Sequence, residues 1–287
     1  MLISSAYDHE LARDLAASAG RRLLDLRTEP SLSGDDLRKA GDRSAHEFLA
    51  GELARLRPAD AVLSEEGKDD PARLAAPRVW IVDPLDGTRE FGEAGRTDWA
   101  VHVALWERGD LTAGAVALPA QGLVLSTADY ATRPAETAPF PSRIEAATET
   151  VALPAGLRIV VSRSRPPAFV QRLAAGTAAQ LLPMGSAGAK AAAIIRGDYD
   201  AYIHAGGQYE WDSAAPVAVA RAAGLHASRI DGSALEYNQA DVSVPDILIS
   251  PAWLAPGLLS AIASAAAAEP SSVLAHHRPS TPSDPEH

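Results

Sequence analysis

Leu11, Leu15, Ala19, Leu23 and Leu26 recur at three- to four-residue intervals, which places one apolar stripe on an amphipathic helix over residues 11–26. A polar loop, 28–34, separates it from a second helix over 36–56. The pattern then changes: short apolar or β-branched runs at 61–64, 79–82, 99–106, 112–118 and 122–127 predict strands. Residues 132–153, rich in proline and threonine, predict a loop or linker. Beyond it strands and helices alternate. Strand 158–162 precedes helix 167–174, strand 180–183 precedes helix 186–195, and strand 201–204 precedes helix 213–223. A strand at 246–249 and an alanine-rich helix at 256–268 close the pattern. This predicts an α+β N-terminal half followed by an α/β C-terminal half. Residues 1–153 are expected as one subdomain and 154–268 as a second, with 269–287, rich in Pro, Ser and charge, as a disordered tail.

The strand expected at 79–82 runs into Asp83-Pro84-Leu85-Asp86-Gly87-Thr88. Two carboxylates three residues apart around a rigid proline are poor core material. They suit a hard divalent cation, which takes oxygen ligands in fixed positions. Gly87 permits close backbone approach to a ligand, and a helix starting there turns free N–H groups toward an anion. A turn with two solvated aspartates is the plain alternative for this segment alone. Two other acidic segments bear on the choice. Strand 61–64 ends in Glu65 and Glu66, and Glu210-Trp211-Asp212-Ser213 puts Asp212 where a helix N-cap is expected.

Composition narrows the classes. A chain of 287 residues with 47% hydrophobic positions can bury a large core. It has no uninterrupted apolar run of about 18 or more residues, so no membrane span is expected. Residues 1–10 lack the basic flank and hydrophobic stretch of a signal peptide, which makes a cytoplasmic location the expectation. The absence of cysteine excludes disulfides, thiolate metal sites and cysteine catalysis. A net charge of −11 argues against a nucleic-acid polymer as partner. Bound cations would reconcile that charge with a small anionic substrate.

In their order and spacing, the strand-end Glu65, the Asp83-to-Thr88 segment and Trp211-Asp212-Ser213 resemble the lithium-sensitive, magnesium-dependent phosphatases. That superfamily includes inositol monophosphatase, fructose 1,6-bisphosphatase and the 3'(2'),5'-bisphosphate nucleotidases. The chain looks most like the actinobacterial CysQ-type nucleotidases. The matching stretches are Gly41-Asp42-Arg43, 61–66, 79–91, Asp98-Trp99-Ala100-Val101-His102, Gly185-Ser186-Ala187-Gly188-Ala189-Lys190, 204–215 and 223–232. Relatives commonly read Val-Thr-x-Ala-Asp where this chain has Leu37-Arg38-Lys39-Ala40-Gly41-Asp42, a departure just before the matched Asp42.

The resemblance implies a layered α-β-α-β-α sandwich and magnesium-dependent removal of the 3'-phosphate of 3'-phosphoadenosine 5'-phosphate. The 3'-phosphoadenylyl sulfate is a further implied substrate, in sulfur assimilation. Two or three Mg2+ ions, inhibition by Li+ and a homodimer are also implied. Glu65, Asp83 and the Leu85 carbonyl would hold one ion, and Asp83, Asp86 and Asp212 another. Asp42 and Thr88 would orient the nucleophilic water, with Asp42 accepting its proton and Glu65 completing the catalytic set. Asp86, Gly87, Thr88 and Asp212 would also meet the substrate. A second phosphate would fall to Arg163, Arg165, Lys190 and the Gly185-Ser186 turn, and Glu210 would touch ribose or base. Solvated loop for the arginines and close packing for the glycine turn are the alternatives. Tyr209 and Trp211 read as packing residues, Glu66 as structural, and His204 as a strand-end residue near the site. An inositol monophosphatase or fructose bisphosphatase acting on a sugar phosphate is the competing enzyme. A non-catalytic nucleotide sensor is the competing class.

Overall fold

The computed structural model describes residues 3–130, 153–164 and 166–267. Arg165, the expected tail 269–287 and nearly all of the expected loop 132–153 lie outside these residues. Helices α1 (Ile3–Arg27) and α2 (Gly34–Leu56) form where the apolar spacing is helical. Leu37, Gly41, Ala45, Leu49 and Leu53 recur every four residues, and α2 buries that stripe. A five-stranded sheet follows: β1 (Ala61–Ser64), β2 (Arg78–Asp86), β3 (Ala100–Glu107), β4 (Asp110–Leu118) and β5 (Leu123–Ser126) in sequential order. β1 is parallel to β2, and the remaining pairs are antiparallel. A short helix, α3 (Thr88–Gly92), leaves the end of β2.

The second sheet has the order β7-β6-β8-β10-β9, built from β6 (Arg158–Ser162), β7 (Gln180–Met184), β8 (Ala201–Tyr209), β9 (Leu225–Ser228) and β10 (Ser243–Pro251). Helices α4 (Ala168–Thr177), α5 (Ala187–Ile195), α6 (Glu210–Ala222) and α7 (Ala255–Ala267) complete the fold.

Strand alternation sorts the side chains into three hydrophobic layers. Trp80 and Val82 pack with Leu15, Leu23 and Leu49 under α1 and α2. Val79 and Ile81 point the other way, against Ala191 of α5, Val217 of α6 and the inner face of the second sheet, Val160 and Ile249. The outer face of that sheet, Ile159, Ile203 and Leu248, is covered by Val170 of α4 and Leu258 of α7. The result is the expected α-β-α-β-α sandwich. Each fully buried leucine or valine contributes about 1.5–3 kcal/mol, so all three interfaces are strongly apolar-driven. Among the described residues no helix is long and apolar enough to cross a membrane.

Several elements differ from the sequence expectation, for physical reasons. β2 continues through the Asp-Pro-Leu-Asp segment because the neighbouring β3 offers partners as far as Asp86. β8 likewise runs on to Tyr209 along β10. α6 begins at Glu210, earlier than the expected 213. β9 escapes a periodicity reading because Leu225-His226-Ala227-Ser228 has too little apolar bulk, and it forms by pairing with β10.

Candidate active site

The site begins with an irregularity in β2. Asp83 pairs with His102 and Asp86 with Ala100, so three steps along β2 match two along β3. That extra residue is a β-bulge. In a regular strand, residues three apart face opposite sides. Here the bulge turns both Asp83 and Asp86 inward, toward α5 and α6, while Leu85 is buried in the layer under α2. The Asp83 carboxylate accepts the Leu85 N–H at 3.0 Å, which stiffens the turn. Gly87 follows with φ +85°, a left-handed conformation that few other residues adopt cheaply, and α3 starts directly after it.

α6 supplies the third carboxylate. Asp212 is the third residue of this helix, not its N-cap, because the helix starts at Glu210, three residues before the expected 213. Its Oδ2 accepts the N–H of Tyr209 at 2.7 Å. Ligand atoms of Asp83, Asp86 and Asp212 all lie within 4.8 Å of one another. Glu65, just past β1, faces Asp83, and each carboxyl acts on the titration of the other. Asp42, on α2, faces the Thr88 hydroxyl at 3.4 Å, and the same hydroxyl lies 3.0 Å from the Leu85 carbonyl.

The electrostatics are those of carboxylates in need of cations. Asp83, 1% exposed, is raised well above the carboxylate range by burial and then by the charges of Glu65, Asp86 and Asp212. Burial followed by the charge of Asp212 pushes Glu65 up to about 7. Asp212 rises to about 6 through burial and Asp86. Asp42 rises to about 6 through burial and the nearby Glu66, against its bond to Thr88. Glu66 itself is exposed, and acts here only as a charge beside Asp42 and Glu65.

Asp86 is the exception. Burial raises it, but His102 and the hydrogen bonds it accepts outweigh that and hold it well below the usual range. Its Oδ2 accepts the Ser186 hydroxyl and, at 2.8 Å, the Gly188 N–H. His102 Nε2 lies 3.2 Å away, and His102 Nδ1 donates to the Trp211 carbonyl. A set of clustered oxygen donors, with Asp83 flanked by Glu65, Asp86 and Asp212, fits hard divalent ions.

The expected second-phosphate residues are placed differently. The Gly185–Lys190 turn does start a helix, but the anion held by its Ser186 hydroxyl and Gly188 N–H is the Asp86 carboxylate. Lys190 is buried on the same helix. Its ammonium donates to the carbonyls of Ser186 (2.7 Å) and Gly185 (3.3 Å) and lies over the Tyr202 ring. Arg163 pairs with Glu90 at 2.7 Å and Glu93 at 2.9 Å. Both cations are engaged by the protein itself. Glu210 is likewise occupied: its two carboxylate oxygens accept the N–H groups of Asn238 and Gln239, each at 2.7 Å.

Four contributors were missed from sequence. Reading His204 as the strand-end histidine was wrong, because β8 continues past it and its Nε2 donates to Gly206. His102 reaches the carboxylates instead. Gly188 is required because a Cβ there would stand 2.2 Å from His102 Nε2. Arg73 and Asn238 support the Glu210 contact, with the Arg73 guanidinium donating to Asn238 Oδ1 at 2.7 Å and to the Gln239 carbonyl at 2.9 Å. A buried polar residue in an apolar strand is a sequence signal for His102. The glycine turn at 185–188 is the signal for close packing at Gly188, and nothing local marks Arg73 or Asn238.

Comparison with known proteins agrees with this geometry. The 3'-phosphoadenosine 5'-phosphate phosphatase of Mycobacterium bovis is 53% identical over 253 residues, 86% of this chain and 90% of that protein. The protein of the same name from Mycobacterium leprae is 49% identical over 269 residues, covering 89% and 93%. The crystal structure of CysQ from Bacteroides thetaiotaomicron, a bacterial member of the inositol monophosphatase family, superimposes with a TM-score of 0.64. It has 26% identity and covers 86% of this chain and 97% of that one. The sequence profile of the inositol monophosphatase family matches residues 6–268, so the chain belongs to that metal-dependent family.

Proposed function

We propose that this protein is a magnesium-dependent phosphatase that cleaves the 3'-phosphate from 3'-phosphoadenosine 5'-phosphate, releasing adenosine 5'-phosphate and inorganic phosphate. The observation that carries the reading is the intact carboxylate cluster in a chain about half identical to relatives named for that substrate. An intact cluster also speaks against a non-catalytic nucleotide sensor.

Asp83, Asp86, Asp212, Glu65 and the Leu85 carbonyl are the residues that would hold magnesium. When bound, the ions supply an acidified water and neutralise charge building on the phosphoryl oxygens. The protein's own groups do the rest. Thr88, set between Asp42 and the Leu85 carbonyl, orients the attacking water. Asp42, with its carboxyl pushed up to about 6, accepts the water's proton as the water oxygen bonds to phosphorus, while the bond to the 3'-oxygen breaks and that oxygen takes a proton from solvent. The backbone N–H groups at Gly87 and Thr88, where α3 begins, are available to a phosphoryl oxygen. His102, Ser186 and Gly188 keep Asp86 ionised and aimed, so its other oxygen stays free for a cation.

The test is phosphate release from 3'-phosphoadenosine 5'-phosphate, inositol 1-phosphate and fructose 1,6-bisphosphate, each with magnesium, with chelator and with added lithium. The nucleotide is expected to give the highest kcat/KM, with activity abolished by chelator and reduced by lithium. Preference for a sugar phosphate would overturn the substrate, and full activity in chelator would overturn the metal chemistry.

A further inference from the structure

Cations held by the carboxylates would grip a phosphate in the same way whether it sits on a nucleoside or on a sugar. A contact to the base discriminates between the two. Resting on the nucleotidase reading, we propose that Tyr209, stacked on Trp211, is the platform for the purine base of the substrate.

The position of this pair follows from the strand. Gln208 is buried, with its amide donating to the Tyr202 hydroxyl at 2.8 Å, so alternation turns Tyr209 outward at the last position of β8. Tyr209 is 46% exposed, although its ring lies on the Trp211 indole with centroids 5.0 Å apart and planes 20° from parallel. The indole covers one side of the phenol ring and leaves surface on the ring open to solvent. Trp211 in turn packs against the central hydrophobic layer, so the platform is backed by the core.

Both residues are tied by their backbones to the cluster that would hold the reacting phosphate. The Tyr209 N–H donates to Asp212, and the Trp211 carbonyl accepts from His102, which meets Asp86. The backbone that carries the two rings therefore adjoins the carboxylates, and a nucleoside bound by its 3'-phosphate would lay its base on the exposed ring. Gly206, shortly before, carries no side chain, has φ +81°, and has nothing within 4 Å of where a Cβ would stand. A ring already held by its neighbour loses little freedom when a base stacks on it, which favours binding. Stacking reads the flat π-face of a base, so a base-free sugar phosphate gains nothing from it.

Tyr209→Ala and Tyr209→Trp test this, by steady-state hydrolysis of 3'-phosphoadenosine 5'-phosphate and inositol 1-phosphate and by inhibition constants for adenosine 5'-phosphate and ribose 5-phosphate. Tyr209→Ala is expected to raise KM for the nucleotide about tenfold, with kcat within about twofold, and to weaken adenosine 5'-phosphate but not ribose 5-phosphate to a similar degree. The ratio of kcat/KM between the two substrates should fall accordingly, and Tyr209→Trp should restore it. An unchanged KM in Tyr209→Ala, or an equal loss on both substrates, overturns the platform while leaving the nucleotidase reading in place. A change of oligomeric state in Tyr209→Ala would also overturn it, in favour of a contact between copies of the chain. Failure of the wild-type protein to hydrolyse the nucleotide sinks the nucleotidase reading, and the platform with it.

Discussion

Asp83 and Asp86 stand three residues apart, both buried, yet their carboxyls are pushed in opposite directions. The charges acting on Asp83 are those of the carboxylates Glu65, Asp86 and Asp212. Asp86 has His102, the Ser186 hydroxyl and the Gly188 N–H, so it stays ionised without a metal. Removing the Asp83 charge should therefore weaken cation binding most. Asp83→Asn is expected to lower kcat more than about a hundredfold, beyond the 10–100-fold typical of residues that only support a ligand. Asp212→Asn should be severe as well and Glu66→Gln mild, since Glu66 is exposed and only adds charge. Wild-type kcat for Asp83→Asn at saturating magnesium would refute the assignment. Asp42 leads to a second prediction. A proton acceptor must be ionised, so kcat/KM should fall as pH drops through about 6, the value to which burial and Glu66 raise it. A rate profile flat from pH 5 to pH 7 would remove Asp42 from that role.

At the scale of elements, the site is built where α5 and α6 meet the bulged end of β2. Gly188 lies at the tightest point of that junction. A methyl group there would meet His102 Nε2 at 2.2 Å and Val116 at 2.9 Å, and neither the buried ring nor the strand behind it has room to retreat. Gly188→Ala is expected to destabilise the protein by about 1–3 kcal/mol, as overpacking does. Because His102 would be displaced from Asp86, magnesium affinity should also fall, measured as the magnesium concentration giving half-maximal activity. The Glu210 end of α6 is held independently, by Asn238, Gln239 and the buried Arg73. Glu210→Gln keeps the shape but leaves one oxygen to accept, so one of the two N–H groups of Asn238 and Gln239 loses its acceptor and faces the amide NH2. A melting temperature lower than wild type, with the nucleotide-to-sugar preference kept, is the outcome that fits a structural Glu210. Loss of that preference would return Glu210 to the substrate.

Across the whole molecule, the raised carboxyls couple folding to pH and to metal. Asp42, Glu65, Asp83 and Asp212 bind protons more tightly in the folded chain than in the unfolded one. Between the unfolded carboxylate range, about pH 4, and about pH 7, the folded state therefore holds more protons. The stability these groups contribute is present at low pH and is lost as pH rises through that window. Thermal melts of metal-free protein should show this loss, with a shallower slope in Asp83→Asn, where one repelling charge is gone. Magnesium should oppose it, by about 2.7 kcal/mol at a concentration one hundred times its Kd. A melting temperature indifferent to magnesium at pH 7.5 would mean that the cluster does not bind it.

The chain by itself determined the periodic parts of this protein. The Leu11–Leu15–Ala19–Leu23 stripe, the buried Val79–Ile81 run and the strand–helix alternation after residue 158 are local patterns, and local patterns specify helices, strands and their faces. The carboxylate segments were legible too, because the Asp83-to-Thr88 run and Trp211-Asp212-Ser213 are contiguous and rarely needed for packing. Tertiary structure decided the rest. The bulge that turns Asp86 to the same side as Asp83 exists only in the register of β2 against β3. The cations at 163 and 190 looked free to bind phosphate, until folding placed Glu90 and Glu93 beside Arg163 and backbone carbonyls around Lys190. His102, Gly188 and Asn238 act on residues far away in sequence, and no local rule can show a contact made by chain closure. A side chain's chemistry is local, but the groups that saturate it, expose it or charge it arrive from elsewhere in the chain.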